Sequence, residues 1–166
     1  MNISLNDIDA LVFDFDGVLT NNLVHIDQSG KEWVSCSRAD GLAFDVLRKL
    51  NKPSFILSTE KNPVVSARAE KLKIQALQGI SNKVDTLLNL VEINNFNIEN
   101  ILYVGNDLND YRVMQLCGYT VCPADSHKKI KQISTVTLKT NGGNGVVREL
   151  IEQVMDIDIV NVMYTE

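Results

Sequence analysis

Little in this sequence could build a disulfide framework or a thiolate metal centre. There are three cysteines, Cys36, Cys117 and Cys122, an odd number with no C-x-x-C pair. Scattered thiols of this kind suit a reducing compartment. No apolar run approaches the roughly 18 residues that span a bilayer, and no basic stretch leads into an apolar one as in a secretory leader. Positive charge is short too: 16 Lys and Arg stand against 21 Asp and Glu, a formal net charge of −5. Broad nucleic-acid binding normally needs a basic face. Neither nucleic acid nor a membrane is therefore an expected partner, and the expected location is the cytoplasm. An anionic small molecule remains open, because a bound cation can invert the local field.

Repeats, low-complexity tracts and linker-like runs are also missing. A chain of 166 residues can bury about 70% of its unfolded surface without covalent staples. One domain over residues 1–166 is the expectation.

What is present is an alternation of short apolar runs with longer amphipathic ones. The runs Ala10–Phe13, Ser54–Leu57, Gln75–Leu77, Ile101–Val104, Tyr119–Cys122 and Thr135–Thr137 read as strands, and the first lacks polar alternation altogether. Between them, Leu42, Val46, Leu47 and Leu50 fall on one helical face, as do Val84, Leu87, Leu88 and Val91 behind a candidate cap at Ser81. Pro63 suits the first turn of a helix ending near Leu72. A last helix carries Val146, Val147, Leu150 and Val154 after the turn Asn141-Gly142-Gly143. This is the pattern of an α/β, doubly wound parallel sheet of the Rossmann-like type. Residues 22–35 break the rhythm and read as a β-hairpin flap. No insertion is long enough for a cap domain.

In such sheets the ligand crevice lies beyond the carboxyl ends of the strands. The first strand runs into Asp14-Phe15-Asp16-Gly17. Two carboxylates there cannot both be buried without a cation or a proton, although an Asp-Gly turn would also account for them. The second strand ends in Ser58-Thr59-Glu60, where a hydroxyl could bond a phosphoryl oxygen or cap the next helix. Lys83 would open a helix, against the helix dipole, which hints at a charge task. The fourth strand runs into Gly105-Asn106-Asp107-Leu108-Asn109-Asp110, which suits either a hard cation or an N-capping turn.

Taken in order, Asp14-x-Asp16-Gly-Val-Leu-Thr, Ser58, Lys83 and Gly105-Asn-Asp-x-Asn-Asp110 resemble the four motifs of the haloacid dehalogenase superfamily. The resemblance is closer to its small capless branch, that of 3-deoxy-D-manno-octulosonate 8-phosphate and nonulosonate 9-phosphate phosphatases. It extends to the phosphatase-like domain fused to some acylneuraminate cytidylyltransferases, and it covers nearly the whole chain. The resemblance implies a Mg2+-dependent phosphatase in which Asp14 is the nucleophile, through an aspartyl-phosphate. Asp16 would be the general acid and base and would lend its backbone carbonyl to the metal. Ser58 and Lys83 would hold the phosphoryl oxygens.

Two departures from that pattern are visible. The usual metal-binding carboxylate maps to Asn106, so Asp14, Asp16, Asn106 and Asp107 are the expected metal donors, with Asp110 behind them. Thr59 stands where many members have glycine, which leaves Ser58 or Thr59 to face the phosphate; strand position favours Ser58. Glu60 and Arg68 match positions that select among sugar acids in this branch, and Arg68 could pair with a substrate carboxylate. The resemblance also implies a homotetramer, with the hairpin and the apolar tail of about 157–166 at the interface. The run Ser58–Pro63 leans toward a nonulosonate 9-phosphate over an octulosonate 8-phosphate. Another small sugar phosphate and a non-catalytic assembly module are the alternatives.

Overall fold

The computed structural model describes residues 3–164 of the chain. Positions 1, 2, 165 and 166, which fall within the expected domain and tail, lie outside the described residues.

The four-residue strand β1 (Ala10–Phe13) is buried along its whole length. Leu11 and Phe13 enter one apolar cluster, and Ala10 and Val12 enter another on the opposite face. Two buried faces explain why the run shows no polar alternation. The hairpin strands β2 (His25–Ile26) and β3 (Glu32–Trp33) pair antiparallel. Then follow β4 (Ser54–Leu57), β5 (Gln75–Leu77), β6 (Ile101–Val104), β7 (Tyr119–Cys122) and β8 (Val136–Thr137). The main sheet has the order β5-β4-β1-β6-β7-β8, with every pair parallel. The doubly wound expectation holds, and the sixth strand is one residue shorter than its apolar run.

Helices α1 (Arg38–Lys49) and α2 (Val64–Leu72) cover one face, through Phe44, Leu47, Val65 and Ala69. Helices α3 (Lys83–Ile93), α4 (Tyr111–Met114) and α5 (Lys128–Ile133) cover the other, through Leu87, Leu90, Val113 and Ile130. Helix α6 (Val146–Glu149) returns to the first face and runs on as a π-helical turn, Leu150–Val154. The sheet grows from β1 in one direction and later in the other. A crevice opens at this reversal of strand order, beyond the carboxyl ends of β1, β4 and β6.

Three expectations need correction. The cap of α3 is Asn82, not Ser81: its Oδ1 accepts from the N–H groups of Val84 and Asp85 at 3.0 and 3.3 Å. One side chain thus satisfies two orphan donors. Pro63 occupies the N-cap position of α2, one residue before the first turn. The apolar tail, read as needing a partner surface, mostly finds one in its own chain. Helix α7 (Ile159–Tyr164) buries Ile159, and Ile157, Val162 and Met163 pack on the same cluster as α1. Lys49 Nζ donates to Met163 O at 2.7 Å. Val160 and Tyr164 stay exposed. No helix among the described residues is long and apolar enough to cross a membrane.

A buried carboxylate joins the two ends of this face. Asp40, in the first turn of α1, accepts from Val147 N and Arg148 N at 2.9 and 3.1 Å and so caps α6 across the fold. Its Oδ2 has no partner. Burial lifts its pKa to about 6, against the pull of those two amides and of Arg68 and Arg148. The folded-state pKa lies above the ordinary carboxylate value, so the native state holds the proton more tightly. Stability from this group is therefore full below about pH 4 and is lost as pH rises through about 6, by on the order of 3 kcal/mol. Urea unfolding of Asp40→Asn and the parent at pH 4.5 and pH 7.5 checks this. The difference between the two proteins should move in favour of the variant at the higher pH, and a difference independent of pH would contradict it.

Candidate active site

Each strand bordering the crevice delivers a polar residue within two positions of where it leaves the sheet. Asp14 follows β1, and its N–H still donates to Val104 O at 2.9 Å. Ser58 follows β4, with its N–H on Leu77 O at 2.9 Å. Gly105 follows β6, with its N–H on Val121 O at 3.2 Å. The ladder therefore fixes the backbone of the site residues before any side chain acts. They meet at a cleft of about 340 Å³ lined by Asp14, Asp16, Asn22, Ser58, Thr59, Asn106 and Asp107, with Leu108 and Asn109 at its edge.

Lys83 explains its own misfit at a helix N-terminus. Its side chain is buried, and Nζ lies 2.8 Å from Asp14 Oδ1 and 2.7 Å from Asp110 Oδ1. Asp110 is fully buried and further accepts from the Tyr103 hydroxyl at 2.9 Å and from Asn106 N at 2.9 Å. Burial works to lower the Lys83 pKa, but Asp14 and Asp110 outweigh it and hold the ammonium charged. Asp14 is pushed the other way. Burial, then the Asp110 carboxylate, raise its pKa to about 8 against Lys83 and the Phe15 N–H, which bonds Oδ1 at 2.8 Å. One ammonium between two buried carboxylates leaves a negative charge uncompensated. A further cation in the cleft would return Asp14 to its ionised form.

The remaining donors fit such a cation. Asn106 is 7% exposed, and its side-chain Oδ1 is buried without a hydrogen-bond partner. An orphaned acceptor on the wall of a polar cleft calls for a ligand. A glycine leaves the room it occupies. Gly17 has φ +79°, and a Cβ on it would lie 1.9 Å from Asn106 Nδ2. Among the described residues, no group of three or more His, Cys, Asp or Glu side chains is placed to hold a metal ion. A hard cation such as magnesium does not need one, because one or two carboxylates, neutral oxygens and water complete its shell. Asp14 and Asn106 Oδ1, with the backbone carbonyl of Asp16, would make a set of that kind. Asp107 also lines the cleft, although its carboxylate is exposed and accepts from Leu108 N at 2.7 Å.

Asp16 is half-buried. Burial first, then the Glu60 carboxylate, raise its pKa, with Lys83 and the Thr20 hydroxyl opposing. A carboxyl that retains its proton more readily than usual suits proton donation. Ser58 is buried and Thr59 exposed, yet both line the cleft, and Ser58 Oγ accepts from Glu60 N at 3.1 Å.

Two expected substrate contacts lie off this cleft. Glu60 turns onto its own loop, where Oε1 accepts from Lys61 N and Asn62 N at 2.6 and 2.7 Å. Arg68 lines a neighbouring hollow with Cys36, Arg38 and Lys71. Its Nη2 donates to Ser37 O at 2.8 Å, while Nε is buried without a partner. The Cys36 thiol in that hollow has its pKa raised by burial, against the charge of Arg68. Sequence reading missed Tyr103, hidden inside an apolar run, and Asn22, whose one signal is its position just after the first motif. Asn22 adopts a left-handed φ of 63°, which asparagine tolerates better than most residues.

Residues 54–150 match the family model described as haloacid dehalogenase-like hydrolase. The chain belongs to that family. It is 33% identical over 146 residues to the 3-deoxy-D-manno-octulosonate 8-phosphate phosphatase KdsC of Salmonella typhi, across 87% of this chain and 78% of that one. Its fold is similar to that of a protein from Streptomyces avermitilis MA-4680 assigned to the HAD hydrolases, with a TM-score of 0.93 at 41% identity over 96% of this chain and 91% of the other. It is also similar to the cobalt-bound deoxy-D-mannose-octulosonate 8-phosphate phosphatase of Haemophilus influenzae, with a TM-score of 0.84 at 28% identity over 92% and 91% of the two chains. Within the haloacid dehalogenase family this hydrolase stands in the KdsC-like branch.

Proposed function

We propose that this enzyme, a phosphatase by its family and its relatives, releases inorganic phosphate from an eight- or nine-carbon 2-keto-3-deoxy sugar acid phosphate. The observation that carries the reading is the convergence on one cleft of Asp14, Asp16, Ser58 and the unpartnered Asn106 oxygen. Magnesium is the cofactor, and Asp14, the Asp16 carbonyl and Asn106 would hold it, with Asp107 within the same cleft. When bound, it supplies the positive charge that keeps Asp14 ionised and offsets the charge of the ester.

In the first half-reaction an Asp14 carboxylate oxygen bonds to phosphorus as the bond from phosphorus to the sugar oxygen breaks. Asp16 gives its proton to that leaving oxygen, so the sugar departs as a neutral alcohol. In the second, Asp16 takes a proton from water as the water oxygen bonds to phosphorus. The Asp14–phosphorus bond then breaks, and phosphate and the original carboxylate are restored. Ser58, with Thr59 next to it, donates to phosphoryl oxygens, and Lys83 fixes Asp14 from below. Arg68, whose Nε is buried without a partner, would meet the substrate carboxylate if the sugar acid extends into the hollow that Arg68 lines.

A panel of sugar phosphates compared by kcat/KM tests the substrate class. Sugar acid phosphates of eight or nine carbons should exceed neutral hexose phosphates by at least about tenfold, as a charge-assisted contact implies. Equal values would remove the acid from the proposal, and the ranking within the acids decides between octulosonate and nonulosonate.

The amide at position 106 leads to a second expectation. Asn106→Asp adds a negative charge at the same place in the donor set, so half-saturation by Mg2+ should fall about tenfold. Titrating phosphate release with Mg2+ measures this, and an unchanged half-saturation would take Asn106 out of the donor set.

The hairpin supports a homotetramer. Leu23, Val24, Ile26 and Trp33 are all exposed on it, and Trp33 stacks on His25 with ring centroids 5.7 Å apart. An apolar patch of this kind usually marks an interface. Light scattering on the intact chain decides this, and a monomer at micromolar concentration would end the assembly proposal.

A further inference from the structure

The glycine-rich turn after β8 lies against the catalytic loop, and nothing in the reaction described so far uses it. The loop after Asp14 is wound around one carbonyl: Phe15 O accepts from Val18, Leu19 and Thr20 N–H at 3.3, 2.9 and 3.1 Å. Thr20 is fully buried. Its Oγ1 accepts from Gly17 N and Asn22 N at 3.2 Å each, and its hydroxyl is near enough to the Asp16 carboxylate to favour the ionised form. The opposite side of this loop is packed by the turn at 141–145. Gly143 N–H donates to Val18 O at 2.9 Å. A Cβ on Gly142 would lie 2.2 Å from Gly17 O and 3.0 Å from Thr20 O, and one on Gly143 would lie 2.4 Å from Asn21 N. The two backbones touch with no side chain between them, at the residues that flank and hold Asp16.

That turn is itself tied down from behind. Gly142 N–H donates to Asp125 Oδ1 at 2.9 Å. The Glu149 carboxylate accepts from Lys139 N and Thr140 N at 2.9 and 2.7 Å. Thr140 O accepts from Ala124 N at 2.9 Å. Asp125 is exposed and is not among the residues that line the cleft.

We propose that the Gly142-Gly143 turn, with Asp125 as its anchor, is a positioning element that fixes the Asp16 carboxyl group toward the leaving oxygen. Asp125 is a positioning residue: it acts through Gly142, then through the backbone of Gly17 and Thr20. The proposal rests on the reading of Asp16 as proton donor. Displacing a catalytic group by about 1 Å can cost on the order of 10²-fold in rate, so a small relaxation of this turn is enough to be seen.

The experiment compares two esters whose leaving groups differ in their need for a proton, an alkyl phosphate and p-nitrophenyl phosphate. Asp125→Ala should lower kcat about tenfold on the alkyl ester, leave KM within about twofold, and lower kcat less than about threefold on the aryl ester. Asp125→Asn retains an oxygen for Gly142 N–H and should recover the alkyl rate to within about twofold. Gly142→Ala should show the same selectivity with a loss of about 10²-fold. Should that variant not fold, the Asp125 pair decides alone. Asp16→Asn is the benchmark. If it loses the two esters unequally while Asp125→Ala loses them equally or not at all, the positioning element is overturned and the Asp16 reading stands. If Asp16→Asn itself loses both equally, the proton-donor reading fails and the positioning proposal fails with it.

Discussion

Asp14→Asn is expected to slow magnesium-dependent phosphate release by ~10⁴-fold or more. The substitution is nearly isosteric, and the amide oxygen can still accept from Phe15 N–H, which bonds Oδ1 at 2.8 Å in the parent. What it loses is the nucleophile. Folding should not suffer. Asp14 and Asp110 share one buried ammonium, and their mutual repulsion is among the forces that raise the Asp14 pKa. A neutral side chain relieves that repulsion, so the melting temperature should stay level or rise. Single-turnover assays with a sugar acid phosphate, run beside a thermal melt, separate the two effects. Turnover within tenfold of the parent would exclude attack by this carboxylate, whatever the melt shows.

Lys83→Ala carries the largest expected cost to stability. Removing the ammonium strands Asp14 and Asp110, both nearly inaccessible to water, with no cation between them. Breaking a buried ion pair from one side costs about 3–5 kcal/mol. In a chain of this length that corresponds to a fall in Tm of roughly 10 °C. Urea unfolding gives the cost directly. Adding Asp110→Asn should restore part of it, because the second change removes one of the stranded charges; the two substitutions are neighbours and should couple strongly. A loss under about 1 kcal/mol for the single variant would mean that the triad does not form in solution.

Much of this was legible in the sequence because parallel strands buried on both faces leave unmixed apolar runs. Ala10–Phe13, Ser54–Leu57, Ile101–Val104 and Tyr119–Cys122 stand in the sheet with the bounds the runs suggest. The polar residues that follow them reach one cleft because the strand order puts β1 between β4 and β6. Lys83 was legible as a misfit, and its partners supply the reason for it. Other features were hidden for physical reasons. Tyr103 looks like one more apolar strand residue until the fold puts Asp110 at its hydroxyl. Asp40 caps a helix more than a hundred positions away, a pairing that no local pattern announces. The tail has the composition of an interface segment, and only the packing of Ile159 beside α1 shows that it serves the chain's own core. Glu60 has a charge suited to a substrate contact, but its nearest donors are the two amides that follow it.

The close approach of Gly17 to the Asn106 side chain also constrains how this sequence can change. The two positions sit 89 residues apart, yet any side chain at the first would occupy space held by the second. The first cannot drift at all and the second only narrowly: a variant library randomised at both should yield active pairs only where glycine is kept, and exchanges at 106 should be confined to groups with the branched, oxygen-bearing outline of asparagine or aspartate.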